Sequence, residues 1–167
     1  KAKAFCEKGL AFALGQAATS PQAHSFQWLA AHFHRRLAGY AAKANERQAV
    51  LDHNLASLQL RAEALRARAL SALEDPDAVP NSYLNAETAH LDLGQVSEAV
   101  DLAQGALALR REVADLSLNP NSWATPIVVA ATQGVEAGGE TAVAARRLAA
   151  LALTELYPAA VPGAPTI

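Results

Sequence analysis

Apolar positions recur along this chain at helical spacing, in blocks separated by proline, glycine and short polar runs. Residues 1 to 15, KAKAFCEKGLAFALG, predict an amphipathic helix with Ala4, Cys6, Leu10 and Leu14 among its apolar positions. QAATSPQ breaks it, offering Ser20 as an N-cap and Pro21 as a first helical residue. In the next block Phe26, Leu29, Ala30, Phe33 and Leu37 fall on one face of a helix over 21 to 43, with Gly39 near its end. From 46 to 74 there is neither proline nor glycine. Leu51, Leu55, Leu58, Ala62, Leu65, Ala69 and Ala72 alternate spacings of three and four, a continuous seam on a long helix. Its small alanine positions suit close packing inside one chain better than a free coiled coil.

EDPDAVPN ends that helix. A helix over 80 to 93 stops at Gly94, and another runs from Ser97 to about 116 with Ala99, Ala103 and Ala106 on one face. SLNPN breaks the chain again. A helix over 122 to 133 follows, with Pro126 in its first turn. GVEAGG reads as a loop, and Thr141 caps a last helix ending near 157. The pattern therefore predicts an all-α protein of about seven helices and no strands. Short breaks between helices favour antiparallel neighbours, hence a right-handed stack of helical hairpins. Residues 1 to 157 form one domain. The tail 158 to 167, PAAVPGAPTI, is too rich in proline and glycine to be ordered unless held.

Composition agrees. Of 167 residues, 51% are hydrophobic, yet only 5% are aromatic, and alanine and leucine dominate, which favours helix over strand. The formal charge of -2 disfavours nucleic acid as a direct partner. No apolar run is long enough for a membrane span, no signal peptide is visible and the lone Cys6 gives no disulfide framework, so a cytoplasmic protein is expected. A chain this apolar that begins at Lys1 and contains no Met reads either as a piece of a longer protein or as a sequence from which modified methionines were left out.

One local device recurs. PNSY stands at 80 to 83 and PNSW at 120 to 123. In the first unit the aromatic Tyr83 is followed by a helix, the turn glycine Gly94, and a helix with small residues at Ala99, Ala103 and Ala106. This resembles a tetratricopeptide repeat, whose unit has an early aromatic, a glycine at the turn, and small residues on one face of the second helix. Glu87 and His90 depart from the small and aromatic residues usual there. SFQWLAAHF resembles the first helix of another unit through Phe26, Leu29, Ala30 and Phe33. A third begins at Trp123, with Gly139 at the turn and Ala144, Leu148 and Leu151 on the packing face; Pro126 and GVEAGG depart from the pattern. Residues 1 to 15 would be the second helix of a unit whose first half is missing. The likeness is specific only over 80 to 116, and the spacing near 40 resembles the looser repeats of bacterial regulators and adaptors.

No catalytic motif emerges. His32 and His34 are two apart and point to different sides of a helix, and no H-E-x-x-H or paired-cysteine motif accompanies them, so the histidines read as solvated or capping groups. Cys6 reads as a buried structural cysteine. LRAEALRARAL is basic through Arg61, Arg66 and Arg68, either a solvated helix face or a site for an anionic partner. GVEAGGE follows no strand and lacks the end of a phosphate loop, and no Ser-His-Asp set can be assembled. The chain is therefore expected not to be an enzyme and to need no cofactor or metal.

The resemblance implies a concave groove lined by the first helices of successive hairpins, in which an extended peptide would lie. His24, Asn81 and Asn121 stand two residues before the early aromatics, and Trp28, Asn85 and Thr125 two residues after. Gln27, His34, Arg35, Thr88 and Asp92 would line it further. Asparagine amides both donate and accept, so they can hold a peptide backbone. The leading expectation is a module that binds a protein or peptide, with a second copy of the chain as another partner through the terminal repeats. A ligand-sensing regulatory domain of a larger signalling or transcription protein is the alternative, and a helical enzyme the least favoured reading.

Overall fold

A computed structural model of the chain describes residues 1–20, 22–67, 75, 77–116 and 118–157. These hold seven α-helices and no strand: α1 (Ala2–Ala17), α2 (Ala23–Lys43), α3 (Arg47–Arg66), α4 (Ala78–Asp92), α5 (Val96–Glu112), α6 (Pro120–Ala137) and α7 (Gly139–Leu156). The expectations placed on Pro21, on Arg68, Ala69 and Ala72, and on the tail 158 to 167 lie outside the described residues. Among those described, no helix is long and apolar enough to cross a membrane.

Each helix packs on the next. In the C-terminal half, helices two apart also touch, α4 with α6 and α5 with α7. The main core sits there, built from Leu58 and Leu65 of α3, Tyr83 and Ala86 of α4, Ala103 and Ala106 of α5, Trp123 and Ile127 of α6 and Leu148 of α7. Ala99, Ala103 and Ala106 are all fully buried, so the small face predicted for α5 is the face that packs. In the N-terminal half the order is looser. α2 packs on α1 and α3 through Ala30, Ala31, Leu37, Ala38 and Ala41, but makes no backbone contact with α4. That separation opens the cleft described below.

Two turns show how the helices stop. Gly94 has φ +75, the Gln95 N–H donates to the His90 carbonyl at 2.9 Å, and the Gly94 N–H donates to the Leu91 carbonyl at 2.9 Å. This paired bonding, closed by a left-handed residue, satisfies carbonyls that the helix end would leave bare. Asn45, with φ 58, does the same for α2: the Glu46 N–H bonds the Ala41 carbonyl and the Asn45 N–H that of Ala42, each at 3.0 Å. Asparagine tolerates this conformation better than other non-glycine residues.

Several local expectations are corrected. α6 begins at Pro120, capped by the Asn119 side chain accepting from the Asn121 N–H at 3.0 Å, so Pro126 lies in the second turn rather than the first. GVEAGG is not a loop: α6 continues through Gly134 to Ala137, and the turn is made at Gly138 and Gly139, both at positive φ. Gly134 stays helical because the absent side chain lets α6 close onto its neighbours; a Cβ there would come within 2.7 Å of both Ala145 and Val100 side chains. Thr141 does not cap α7, which starts at Gly139, and its packing face runs through Ala145, Leu148 and Ala152, leaving Leu151 exposed. On α1 it is Cys6 and Ala13 that are buried, while Ala4 and Leu14 face out with Phe5 and Phe12. Leu29 of α2 is likewise exposed.

Candidate functional site

The wide spacing of α2 and α4 leaves a cleft of about 570 Å³ floored by α3. α2 supplies His32, Arg35, Arg36, Gly39, Tyr40 and Lys43; α3 supplies Arg61; α4 supplies Ala78 and Asn81. The α2 residues recur at spacings of three and four, so helical geometry alone stacks them on one face. Four of the lining groups, Arg35, Arg36, Lys43 and Arg61, are cations, and among the described residues no acid lines the cleft.

Arg61 is the unusual member. It is only 6% exposed. Its Nη1 donates to the Ser82 hydroxyl at 2.8 Å and to the Ala78 carbonyl at 3.4 Å, while its Nε is buried without a partner. Its guanidinium carbon lies 5.4 Å from the centroid of the half-buried Trp28 ring, close enough for a cation–π contact. Arg61 thus ties α4 to α2 across the gap the backbones leave. Burial, then the nearby Arg35 charge, lower its affinity for a proton; Asp75 opposes them. His32 is held below the ordinary imidazole value by burial and by Arg36, Arg61 and Arg35. Arg36 Nε donates to His32 Nε2 at 3.4 Å, an arrangement that requires the neutral ring.

The expected groove residues divide. Arg35 and Asn81 line the cleft, and Trp28 stands behind it through Arg61. Asn85 lies one turn along α4, with its Nδ2 donating to the Asn81 carbonyl and its own carbonyl accepting from Asn54 Nδ2 at 3.2 Å. His24 and Gln27 pair with each other at the exposed start of α2, 3.0 Å apart. His34 is engaged away from the cleft, its Nδ1 3.1 Å from Nδ1 of His53 on α3. Thr88 and Thr125 donate to carbonyls four residues back, at 2.8 Å and 3.2 Å, a common way for a helical hydroxyl to satisfy itself. Asn121 accepts from the Tyr157 hydroxyl at 2.6 Å, joining the start of α6 to the end of α7.

The basic stretch of α3 also divides. Arg61 turns inward, whereas Arg66 Nε bonds the Glu112 carboxylate at 2.7 Å at the surface; Arg68 lies outside the described residues. The expectations did not include His32, Arg36, Tyr40 and Lys43 as lining, although their spacing of four, four and three was readable as one stripe. That Arg61 faces the same stripe was not readable, because it depends on how α3 meets α2.

Among the described residues no group of three or more His, Cys, Asp or Glu side chains could hold a metal ion. Cys6 is buried on α1. The cleft presents four cations and three neutral hydrogen-bonding groups, His32, Tyr40 and Asn81, around an open space. No family model matches this chain, and neither a curated protein nor a solved structure matches it.

Proposed function

We propose that this chain is a non-enzymatic binding module that recognises an extended segment of a partner protein in the α2–α4 cleft. In this reading its helices form stacked antiparallel hairpins of the tetratricopeptide-like kind, and the partner segment bears acidic groups. One observation carries the reading: a buried arginine with an unpartnered Nε, Arg61, sits at the floor of a cleft that also gathers Arg35, Arg36 and Lys43 and, among the described residues, is lined by no acid. Burying a cation without a counter-charge costs free energy that stability alone does not recover. An anionic partner segment would supply that counter-charge. Asn81 on α4 would hold the segment's backbone.

The test is selection of short peptides from a random display library on the immobilised protein, followed by titration calorimetry of the selected sequences. Acidic extended peptides are expected, with binding weakened severalfold by Asn81→Ala, the effect of losing one hydrogen bond worth about 0.5–1.5 kcal/mol. Arg35→Ala should weaken it further. Failure of any peptide to bind, or binding indifferent to both substitutions, would overturn the reading.

A further inference from the structure

We infer that the floor of the α2–α4 cleft is a binding site for a tetrahedral dianion, a phosphoryl group carried on a side chain of the partner segment. This rests on the reading of the cleft as the partner-binding surface.

The argument begins with charge. Arg35, Arg36, Lys43 and Arg61 converge on one space of about 570 Å³. His32 adds a ring whose protonation is disfavoured by burial and then by its cationic neighbours. Among the described residues the acid whose field reaches Arg61 is Asp75, which does not line the cleft. Asp77, just before α4, has one buried oxygen without a partner and does not line it either. A single carboxylate would offset one of the four cations. A phosphoryl group carries roughly -1.5 to -2 at neutral pH and three strong acceptor oxygens, so it offsets about two.

Geometry agrees with charge. Arg61 is held by Ser82, the Ala78 carbonyl and the Trp28 ring, so its remaining nitrogen, Nη2, is set in place before any ligand arrives. Arg35 and Arg36 are exposed and can swing onto a bound anion from α2. Planar guanidinium forks pair with phosphate oxygens two at a time, an advantage that lysine-rich patches lack. One fixed arginine with two exposed ones is therefore suited to enclosing a three-oxygen group, with Tyr40 and Asn81 at the edge for the segment that carries it.

The experiment titrates the isotope-labelled chain with inorganic phosphate, phenyl phosphate and acetate at constant ionic strength, observed by amide NMR. Both phosphates are expected to shift amides of residues 32–43 and 78–82 saturably and to raise the pKa of His32. Acetate should do so roughly tenfold more weakly, reflecting the stronger charge-assisted bonding of the dianion. The double variant Arg35→Ala with Arg36→Ala alters only exposed side chains of the cleft and should abolish the response while leaving the circular dichroism spectrum intact. Equal responses to acetate and phosphate would overturn the dianion, as would phosphate shifts of the same size at the exposed Arg146 and Arg147 of α7. A further arm compares a display-selected peptide with the same peptide carrying phosphoserine. Tighter binding of the phosphorylated form supports the partner-borne source, and inorganic phosphate binding with no gain from phosphoserine overturns it. Peptide binding without any phosphate response would sink this inference and leave the peptide reading standing; phosphate binding with no peptide bound would overturn the peptide reading and the partner-borne source with it.

Discussion

The rings of Tyr83 and Trp123 lie with centroids 6.5 Å apart and planes inclined by 49°, so the aromatics of PNSY and PNSW meet in the core. Each opens one helix of the α4–α6 contact, and Trp123 is fully buried. Trp123→Ala should therefore cost about 3–5 kcal/mol, the range for emptying a large buried aromatic site. Trp123→Phe should cost distinctly less, because it keeps most of the volume and removes an indole N–H that has no partner. Urea unfolding of the two variants checks the order; equal losses would mean that the site is not filled by the ring.

Two glycines with the same helical setting should respond oppositely to alanine. At Gly134 an added Cβ would lie 2.7 Å from Ala145 Cβ and Val100 Cγ2, an overpacking that typically costs about 1–3 kcal/mol. At Gly105 the nearest atom, Tyr83 Cε1, is 3.6 Å away, an ordinary contact. Gly105→Ala should gain about 0.5–1 kcal/mol from helix propensity. Melting temperatures shifted in opposite directions are the expected result, and a stabilising Gly134→Ala would refute the close approach of α6 to α5 and α7.

Ala103 sits fully buried on the face of α5 that joins the core. Ala103→Leu adds three carbons where no space exists and should lower stability by about 1–3 kcal/mol. An unchanged thermal melt would show that α5 packs elsewhere.

Glu87 is fully buried on α4, neither of its carboxylate oxygens has a partner, and burial pushes its pKa from 4.5 up to about 8. The folded chain then holds a proton that the unfolded chain releases. Stability should fall as pH rises from 4.5 to about 8 and level off above. Glu87→Gln keeps the shape without the titration, so it should flatten this slope and be the more stable form at alkaline pH. His32, His34 and His53 act in the opposite sense: burial lowers each below 6.5, the unfolded chain binds protons more readily, and stability drops as pH falls below 6.5. Thermal melts of the wild type and Glu87→Gln across this range separate the two effects, and parallel curves would rule out a buried carboxyl.

Arg61→Met should leave the chain as stable or raise its melting temperature by a few degrees while removing anion binding. The side chain keeps its length against Trp28, the Ser82 hydroxyl still donates to the Ala78 carbonyl at 3.0 Å, and a desolvated charge is removed. A large loss of stability would assign Arg61 a structural role instead of a binding one.

Helix number, the order of helices and the packing face of α5 followed from the sequence alone, because apolar spacing of three and four and the positions of Gly94 and the prolines are local properties of the chain. Gly134 lies in a helix where the sequence predicts a loop, since glycine signals a break unless a neighbouring helix needs the missing Cβ, and Val100 and Ala145 are distant in sequence. Asn45 gives no helix-stop signal in the sequence, because its left-handed conformation is chosen by the turn and only tolerated by the residue. The candidate site was half legible. The stripe of His32, Arg36, Tyr40 and Lys43 repeats at helical spacing, and Arg35 and Asn81 were expected in a groove. Only the tertiary structure decided that α2 and α4 stand apart, that Arg61 turns inward between Ser82 and Trp28, and that His34 is engaged with His53 instead. Those outcomes depend on how one helix seats on another, which many side chains set together and no local pattern records.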